Sequence, residues 1–535
     1  MRSQTGLDTT RGRPLLRRPT PVLLGGAAAA IAISLLLAGQ AWADATVAGG
    51  PGQTRVGRIV GTFPDSSGVF ANVTQDPSVV NPSNAFFDPS LGTNGQACVT
   101  CHQPSEGFSL TVPFIDRQFD KSQGLDPLFR ANDTATRPDA DLSSLAKRRD
   151  AFELALDLGV FRIGKTFPLN TQFTVAAQNT PRFGPLPNPV DPQSSGPPTL
   201  SFFRRPLATT NMRLESVVLW DGRQNIHNLR MQVKAAARTL MLGSNVSDAQ
   251  ADSAASFMTS VFTAQDVEHG VGNLSVLGAH GGAQNLQSVA ISASAPCVPL
   301  TDPNQGPNVP PVAPAPSVCT DPTLPFDLYT AWAHRPPSTG FASVARGQQL
   351  FNTRQFSFPG VPGTFSCTGC HTTTDVGNFP FVSPENAAPN ASLFVRYGLD
   401  SPEFLAQLAR LNPRVQSFVN RTAGLPVYSI SITVPDDLIG PTCGPAILPD
   451  MTTGQPNLGS LNRSTDLGRA MVTGLCADIG GFKPPILRGV ATHAPYFHNG
   501  AAATIDDVVN FYDTIFQARF TDQDRADLAA FLRAL

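Results

Sequence analysis

Cys98-Val99-Thr100-Cys101-His102 and Cys367-Thr368-Gly369-Cys370-His371 both read C-x-x-C-H. Two thiols three positions apart can bond the two vinyl groups of one porphyrin. The adjacent His then turns under the iron as its proximal ligand. The competing explanation of a single match is a zinc or redox C-x-x-C that happens to precede a His. Two matches in a chain with eight Cys and eight His, behind an export-type N-terminus, point instead to covalent c-type haem. The attachment residues are Cys98, Cys101 and His102 for one group and Cys367, Cys370 and His371 for the other.

The N-terminus carries Arg11, Arg13, Arg17 and Arg18, then an apolar run from Val22 to Leu37, then Ala41-Trp42-Ala43. That order reads as a secretory signal over residues 1–43, cleaved before Asp44. The run is rich in Ala and Gly and short for a membrane span. Export to the periplasm or beyond suits c-type haem, which is attached outside the cytoplasm. A net charge of −2 gives no reason to expect nucleic acid as a partner. With 49 Pro, 45 Gly and 15% charged residues, the chain reads as long ordered loops around modest helices. Four Cys remain beyond the two motifs. In an oxidising compartment they suggest disulfides, and proximity favours Cys297–Cys319 and Cys443–Cys476.

The two motif segments form a degenerate repeat, each with an aromatic-containing run and a Gly before C-x-x-C-H. The expected fold is mainly α: two cytochrome-c-like haem domains with long irregular loops and inserts, some holding small β-hairpins. The first domain is expected over 44–288 and the second over 325–535. A Pro-rich linker or insert, 289–324, separates them. Helical patterning is read over Leu142–Leu158, from Asn225 onward, over Asp248–Phe262 with Ala251, Ala255, Met258 and Phe262 on one stripe, and over Ser343–Phe351. Two closing helices follow, Thr504–Phe516 and Thr521–Leu535, with Thr521 and Asp524 as a capping box.

Further stretches carry a resemblance. They are Phe86-Phe87-Asp88-Pro89 through Cys101-His102-Gln103-Pro104 and Gly107-Phe108, then Leu219-Trp220-Asp221-Gly222-Arg223. Phe482-Lys483-Pro484-Pro485-Ile486-Leu487-Arg488 and Ala494-Pro495-Tyr496-Phe497-His498-Asn499-Gly500 complete the set. In order and content they resemble the bacterial di-haem cytochrome c peroxidase and MauG superfamily, including its larger, rubber-oxygenase-like members. The resemblance implies a periplasmic di-haem oxidoreductase. Electrons from a small cytochrome c or cupredoxin would enter at the C-terminal haem. Hydrogen peroxide would be reduced at an open N-terminal haem. An oxygenase or oxidase on the same scaffold, acting with dioxygen, is the alternative, and a non-enzymatic electron carrier is a third. A homodimer and an interdomain calcium ion at the W-D-G-R and F-K-P-P loops are also compatible.

The resemblance further implies individual roles. Trp220 would relay an electron between the haems, hold a radical, or serve as a core residue, and Arg223 would meet a haem propionate or backbone. His498 is the candidate sixth ligand of the C-terminal iron and His493 its rival; Met451 and Met471 fit poorly. The chain also departs from the pattern. No His follows the first motif from Gln103 to Arg149, which leaves Met212, Met231 and Met241 as the thioethers able to close that iron. No Asp or Glu lies between Gln232 and Ser244, where the peroxidases place an acid–base Glu. Asp248 is the first acid downstream, and His227 is the nearest other titratable group.

Overall fold

The computed structural model describes residues 58–74, 76–178, 199–215, 217–225, 228–292, 326–356, 364, 366–371, 400–433 and 463–535. The signal segment, Cys297, Cys319, Cys443, His227 and Met451 lie outside these residues. The first half begins with β1 (Arg58–Pro64), β2 (Gly68–Thr74), α1 (Cys98–Cys101), α2 (Val112–Ser122), α3 (Leu145–Ala151), α4 (Glu153–Leu158), β3 (Phe161–Thr166), β4 (Phe173–Gln178) and β5 (Thr199–Arg204). It continues with β6 (Val217–Val218), β7 (Gln224–Asn225), α5 (Leu229–Thr239), α6 (Asp248–Ser260), β8 (Val261–Glu268), β9 (Gly272–Asn273) and α7 (Ala283–Ser292). The second half holds α8 (Gly340–Thr353), α9 (Pro402–Leu411), α10 (Gln416–Thr422), β10 (Val427–Ile432), β11 (Arg463–Ser464), α11 (Ala470–Thr473), α12 (Ile505–Phe516) and α13 (Asp522–Arg533).

Local chemistry sets the two closing helices. Thr504 Oγ1 accepts from the Asp507 N–H at 3.1 Å, and the Asp507 carboxylate accepts from the Thr504 N–H at 3.0 Å. Thr521 and Asp524 repeat this box at the start of α13, as the sequence predicts. α13 packs against α8 at Gly347, where a Cβ would sit 2.0 Å from the Asp527 carbonyl oxygen. Arg346 clamps the same Asp527 with two bonds of 2.7 and 2.9 Å. Val344, Phe351, Leu528 and Phe531 close one buried core with Trp332 and Tyr329.

Three helical expectations are corrected. The helix read from Asn225 onward begins only at Leu229, because Gln224–Asn225 pairs with Val217–Val218 as strand β7. The stretch over 142–158 is two helices with a break at Phe152, which is fully buried among Phe119 and Phe129. The helix begun at Asp248 ends at Ser260. From Val261 the chain turns to strand β8, because the run Val261-Phe262-Thr263 favours extended backbone and finds β2 as a partner. Phe262 therefore packs in the sheet core, not on a helix stripe.

The strands make more of the scaffold than small hairpins would. β1, β2, β8 and β9 form an antiparallel sheet in that order. Asn72 and Thr263 are both fully buried and hydrogen-bond across it at 2.7 Å. A second sheet, β11-β10-β4, joins the halves, since β4 pairs antiparallel with β10 from Val427↔Gln178 to Ile432↔Phe173. Its core mixes Phe173, Val175 and Phe202 with Tyr428, Leu467 and Met471. Cys476 is disulfide-bonded. Among the described residues no helix is long and apolar enough to cross a membrane.

Candidate haem centres

α1 is a single turn that presents Cys98 and Cys101. The Ala97 N–H donates to Thr100 Oγ1 at 2.9 Å, and the His102 N–H donates to the Cys98 carbonyl at 3.1 Å. His102 Nδ1 lies 3.1 Å from the Phe108 carbonyl oxygen. The Leu207 backbone also bonds the ring; an Nδ1–H donated to Phe108 would fix the ring and make Nε2 the atom that meets a metal. Burial pulls His102 down to about 4, so the imidazole is neutral, the form that ligates. Gly107 makes the return turn at φ 61°. A Cβ there would meet Thr492 Oγ1 at 2.2 Å, so only glycine admits the 490–493 loop.

These three residues wall a cavity of about 1220 Å³, open mouth included. Its other walls are largely apolar, with Phe86, Phe161, Leu207, Leu219, Val233 and Leu240. The polar or sulfur-bearing groups reaching it include Arg205, Met212, Glu215, Trp220, Arg223, Gln232, Met258 and Lys483.

The second motif walls a cavity of about 1060 Å³ with Cys367, Cys370 and His371, enclosed by Tyr496, Phe497 and Tyr512 and by aliphatic residues of α12 and α13. A smaller space of about 440 Å³ joins His371 to His498, beside Phe482, Lys483 and Asp400. His498 is 2% exposed and stacks on Phe482 at 3.7 Å between centroids. Burial lowers it to about 3, and its Nε2 has no hydrogen-bond partner. His493 is partly buried, and its Nε2 is likewise buried without a hydrogen-bond partner. It sits instead against Gly107 and lines none of these three spaces.

The residues present fit haem. Burial pushes Cys98 and Cys367 up to about 12. Both thiols are set in largely apolar walls. Each pair faces a cavity of cofactor size beside a neutral His. The orphaned buried Nε2 of His498 is the kind of atom a metal satisfies.

Trp220 lines all three spaces. Its indole N–H donates to the Arg205 carbonyl at 2.9 Å, and its own carbonyl accepts from the Lys483 N–H at 2.8 Å. The W-D-G-R and F-K-P-P loops therefore meet. Arg469 strengthens the junction with bonds of 3.1 and 3.0 Å to the Asp221 and Gly222 carbonyls. Among the described residues no group of three or more His, Cys, Asp or Glu is placed to hold a metal ion. Arg223 lines the first cavity and pairs with Asp221 at 2.6 Å. Asp221 also holds Arg204. Burial opposes its ionisation, but the Arg204, Arg223 and Lys165 charges outweigh burial and keep it well below the usual carboxylate range.

Of the candidate thioethers, Met212 reaches the first cavity, while Met231 is half-exposed and Met241 and Met471 belong to hydrophobic cores. Asp248 is on the surface, paired with Lys234 and Arg230. Sequence reasoning missed Glu215, Gln232, Met258 and Lys483. Glu215 and Lys483 form a buried ion pair at 2.5 Å across 268 positions, on the wall of the first cavity. Only the position of Glu215, five residues before Trp220, could have hinted at it.

Comparison with known proteins bears on the same elements. The family described as "RoxA-like, cytochrome c-like" matches residues 481–514, which hold the F-K-P-P element, His493, His498 and most of α12. "Cytochrome-c peroxidase IdrP2" of Denitromonas iodatirespirans is 36% identical over 91 residues, 16% of this chain and 24% of the relative. "Cytochrome-c peroxidase IdrP1" of the same organism is 42% identical over 69 residues, 11% of this chain and 18% of the relative. Its namesake in Pseudomonas sp. (strain SCT) is 35% identical over 81 residues, 13% of this chain and 21% of the relative. The chain thus spans about a quarter or less of the length of the curated relatives it matches. On its motifs and these matches, the chain is a c-type haem protein similar to the bacterial di-haem cytochrome c peroxidase superfamily, with a RoxA-like cytochrome c-like segment at its C-terminal end.

Proposed function

We propose that the chain is an exported di-haem oxidoreductase of the peroxidase type. Electrons from a small donor protein enter at the Cys367–His371 centre, and hydrogen peroxide is reduced to water at the Cys98–His102 centre. The observation that carries this reading is the position of Trp220, on the walls of both motif-bearing cavities at once. The names of the matched relatives support the peroxidase class.

Bound c-type haem would supply reversible one-electron chemistry and an iron able to take a substrate oxygen. The protein's part is division of labour between the two centres. His102 and His371 would each hold one haem iron, and His498, buried with an unpartnered Nε2, would be a second ligand at the Cys367–His371 centre, an arrangement suited to electron transfer. Among the described residues lining the first cavity, His102 is the one histidine and Met212 and Met258 are the thioethers; an iron held there by His102 alone would leave peroxide a place to bind. Trp220, held by the Arg205 carbonyl, is the aromatic bridge across which electrons pass. Glu215 supplies the carboxyl group missing after Gln232, and general acid–base help of this kind is worth about 10²–10⁴-fold.

The apolar wall of the first cavity favours a second reading, oxidation of an apolar substrate with dioxygen. Haem quantification, electron paramagnetic resonance of the oxidised protein and peroxide turnover with a reduced donor separate the readings. Two haems per chain, one high-spin and one low-spin signal, and peroxide-dependent donor oxidation are expected. Two low-spin signals without turnover would refute the peroxidase, and dioxygen uptake without peroxide turnover would favour the second reading.

A further inference from the structure

Among the described residues, two carboxyl groups stand on the wall of the Cys98–His102 cavity, Asp133 and Glu215. Asp133 accepts from Gln96 Nε2 and Thr134 Oγ1 at 3.0 Å each. Glu215 instead accepts from the Lys483 ammonium at 2.5 Å, and the two side chains are 7% and 3% exposed. The arginines on this wall are committed elsewhere. Arg204 is held by Asp466 and Asp221, Arg223 by Asp221, and Arg205 by backbone carbonyls. An ammonium carries three N–H donors, and Lys483 uses one of them, on Glu215 Oε2.

Two charges withdrawn from water gain little net stability from each other, and an apolar pair of similar volume is often as good. This pair is nevertheless built into a largely apolar cavity wall. Both backbones are anchored. The Glu215 N–H donates to the Met212 carbonyl at 3.1 Å, and the Lys483 N–H donates to the Trp220 carbonyl at 2.8 Å. Pro484 and Pro485 follow and stiffen the chain there. Charges fixed in this way need no rearrangement when a new charge develops beside them.

We propose that Lys483 is a further catalytic residue of this centre, whose ammonium holds the hydroperoxide anion formed when Glu215 takes a proton from hydrogen peroxide. The proposal rests on the reading of the Cys98–His102 cavity as the open haem centre. In this step one O–H bond of peroxide breaks, its electron pair stays on oxygen, and the proton ends on the Glu215 carboxylate. The negative charge passes from carboxylate to oxygen, so Lys483 faces an anion throughout. Glu215 alone would leave the new anion uncompensated in a buried site. The remaining N–H donors of Lys483 supply the charge-assisted bonds it needs.

Hydrogen cyanide is the probe, because it too loses one proton as its anion binds ferric haem. Cyanide binding to the oxidised full chain is titrated through the Soret band. Carbon monoxide binding to the reduced chain is the reference, since it moves no proton and adds no charge. Lys483→Met should weaken cyanide binding about ten- to hundredfold, the range of one hydrogen bond to a charged group, and leave carbon monoxide binding unchanged. Lys483→Arg keeps the charge and should bind cyanide close to the parent level, with peroxide turnover following cyanide affinity across the series. Unchanged cyanide binding in Lys483→Met, or an equal loss for both ligands, would overturn the proposal. Should Lys483→Met not accumulate because Glu215 is stranded, the double variant Lys483→Met/Glu215→Leu decides. Weakened cyanide binding with carbon monoxide binding retained supports the proposal, and parental cyanide binding overturns it. A parent chain that binds neither ligand would instead sink the reading of an open centre, a result visible before any variant is made.

Discussion

Arg204→Met tests how far buried charge fastens the two halves of the chain. Arg204 ends β5, and its Nε and Nη2 grip Asp466, 262 positions later, at 2.6 and 2.8 Å. Its Nη1 holds Asp221 at 2.7 Å. The three residues are 4%, 1% and 0% exposed. Removing one partner of a buried pair costs about 3–5 kcal/mol, because the other charge stays behind without compensation. Here Asp221 keeps Arg223 at 2.6 Å and Lys165 at 3.7 Å, so most of the loss falls on Asp466, left with the Gly468 N–H at 2.9 Å. The expected loss is therefore about 3–4 kcal/mol. The double variant Arg204→Met/Asp466→Leu removes the stranded carboxylate and should recover about 2 kcal/mol or more relative to additivity. Guanidinium unfolding followed by far-UV circular dichroism measures both. A loss below about 1 kcal/mol, as for a surface pair, or additivity within about 0.5 kcal/mol, would refute the reasoning.

His498→Ala should convert the low-spin resonance signal to high-spin while leaving the haem count unchanged, and His493→Ala should not; the reverse pattern would reassign the ligand. Gly347→Ala places a methyl 2.0 Å from the Asp527 carbonyl and 2.7 Å from Phe531 Cβ; a loss of about 1–3 kcal/mol by overpacking is expected, and an unchanged melting temperature would show that α8 and α13 separate freely. Burial raises Asp133 to about 6 against Gln96, Thr134 and Arg162, which lower it. Between about pH 4, the unfolded value, and pH 6 the folded chain holds a proton the unfolded chain has released. This group's contribution to stability thus falls as pH rises through that window. Asp133→Asn should flatten the slope between pH 4 and 6, and an unaltered slope would mean that Asp133 ionises normally.

Some of this was written in short stretches of chain. The C-x-x-C-H motifs with their histidines and the Thr504 and Thr521 caps depend on atoms within four residues of one another. Covalent spacing and local hydrogen bonds decide them whatever the rest does. The helix expected to reach Phe262 failed at Ser260, because Val261–Glu268 gains more by pairing with β2 than by extending α6. That competition is settled by a strand far away in sequence. The same holds for the site. The W-D-G-R and A-P-Y-F-H-N-G elements marked Trp220 and His498 as residues to watch. Which histidine faces His371, which methionine reaches the first cavity, and that Glu215 pairs with Lys483 were decided by packing. Asp248, the acid the sequence offered next, pairs with surface cations, while Glu215 is drawn inside by a lysine 268 positions away. Sequence order carries no trace of such a pairing, because burial and charge compensation act between elements and are fixed only when the chain closes on itself.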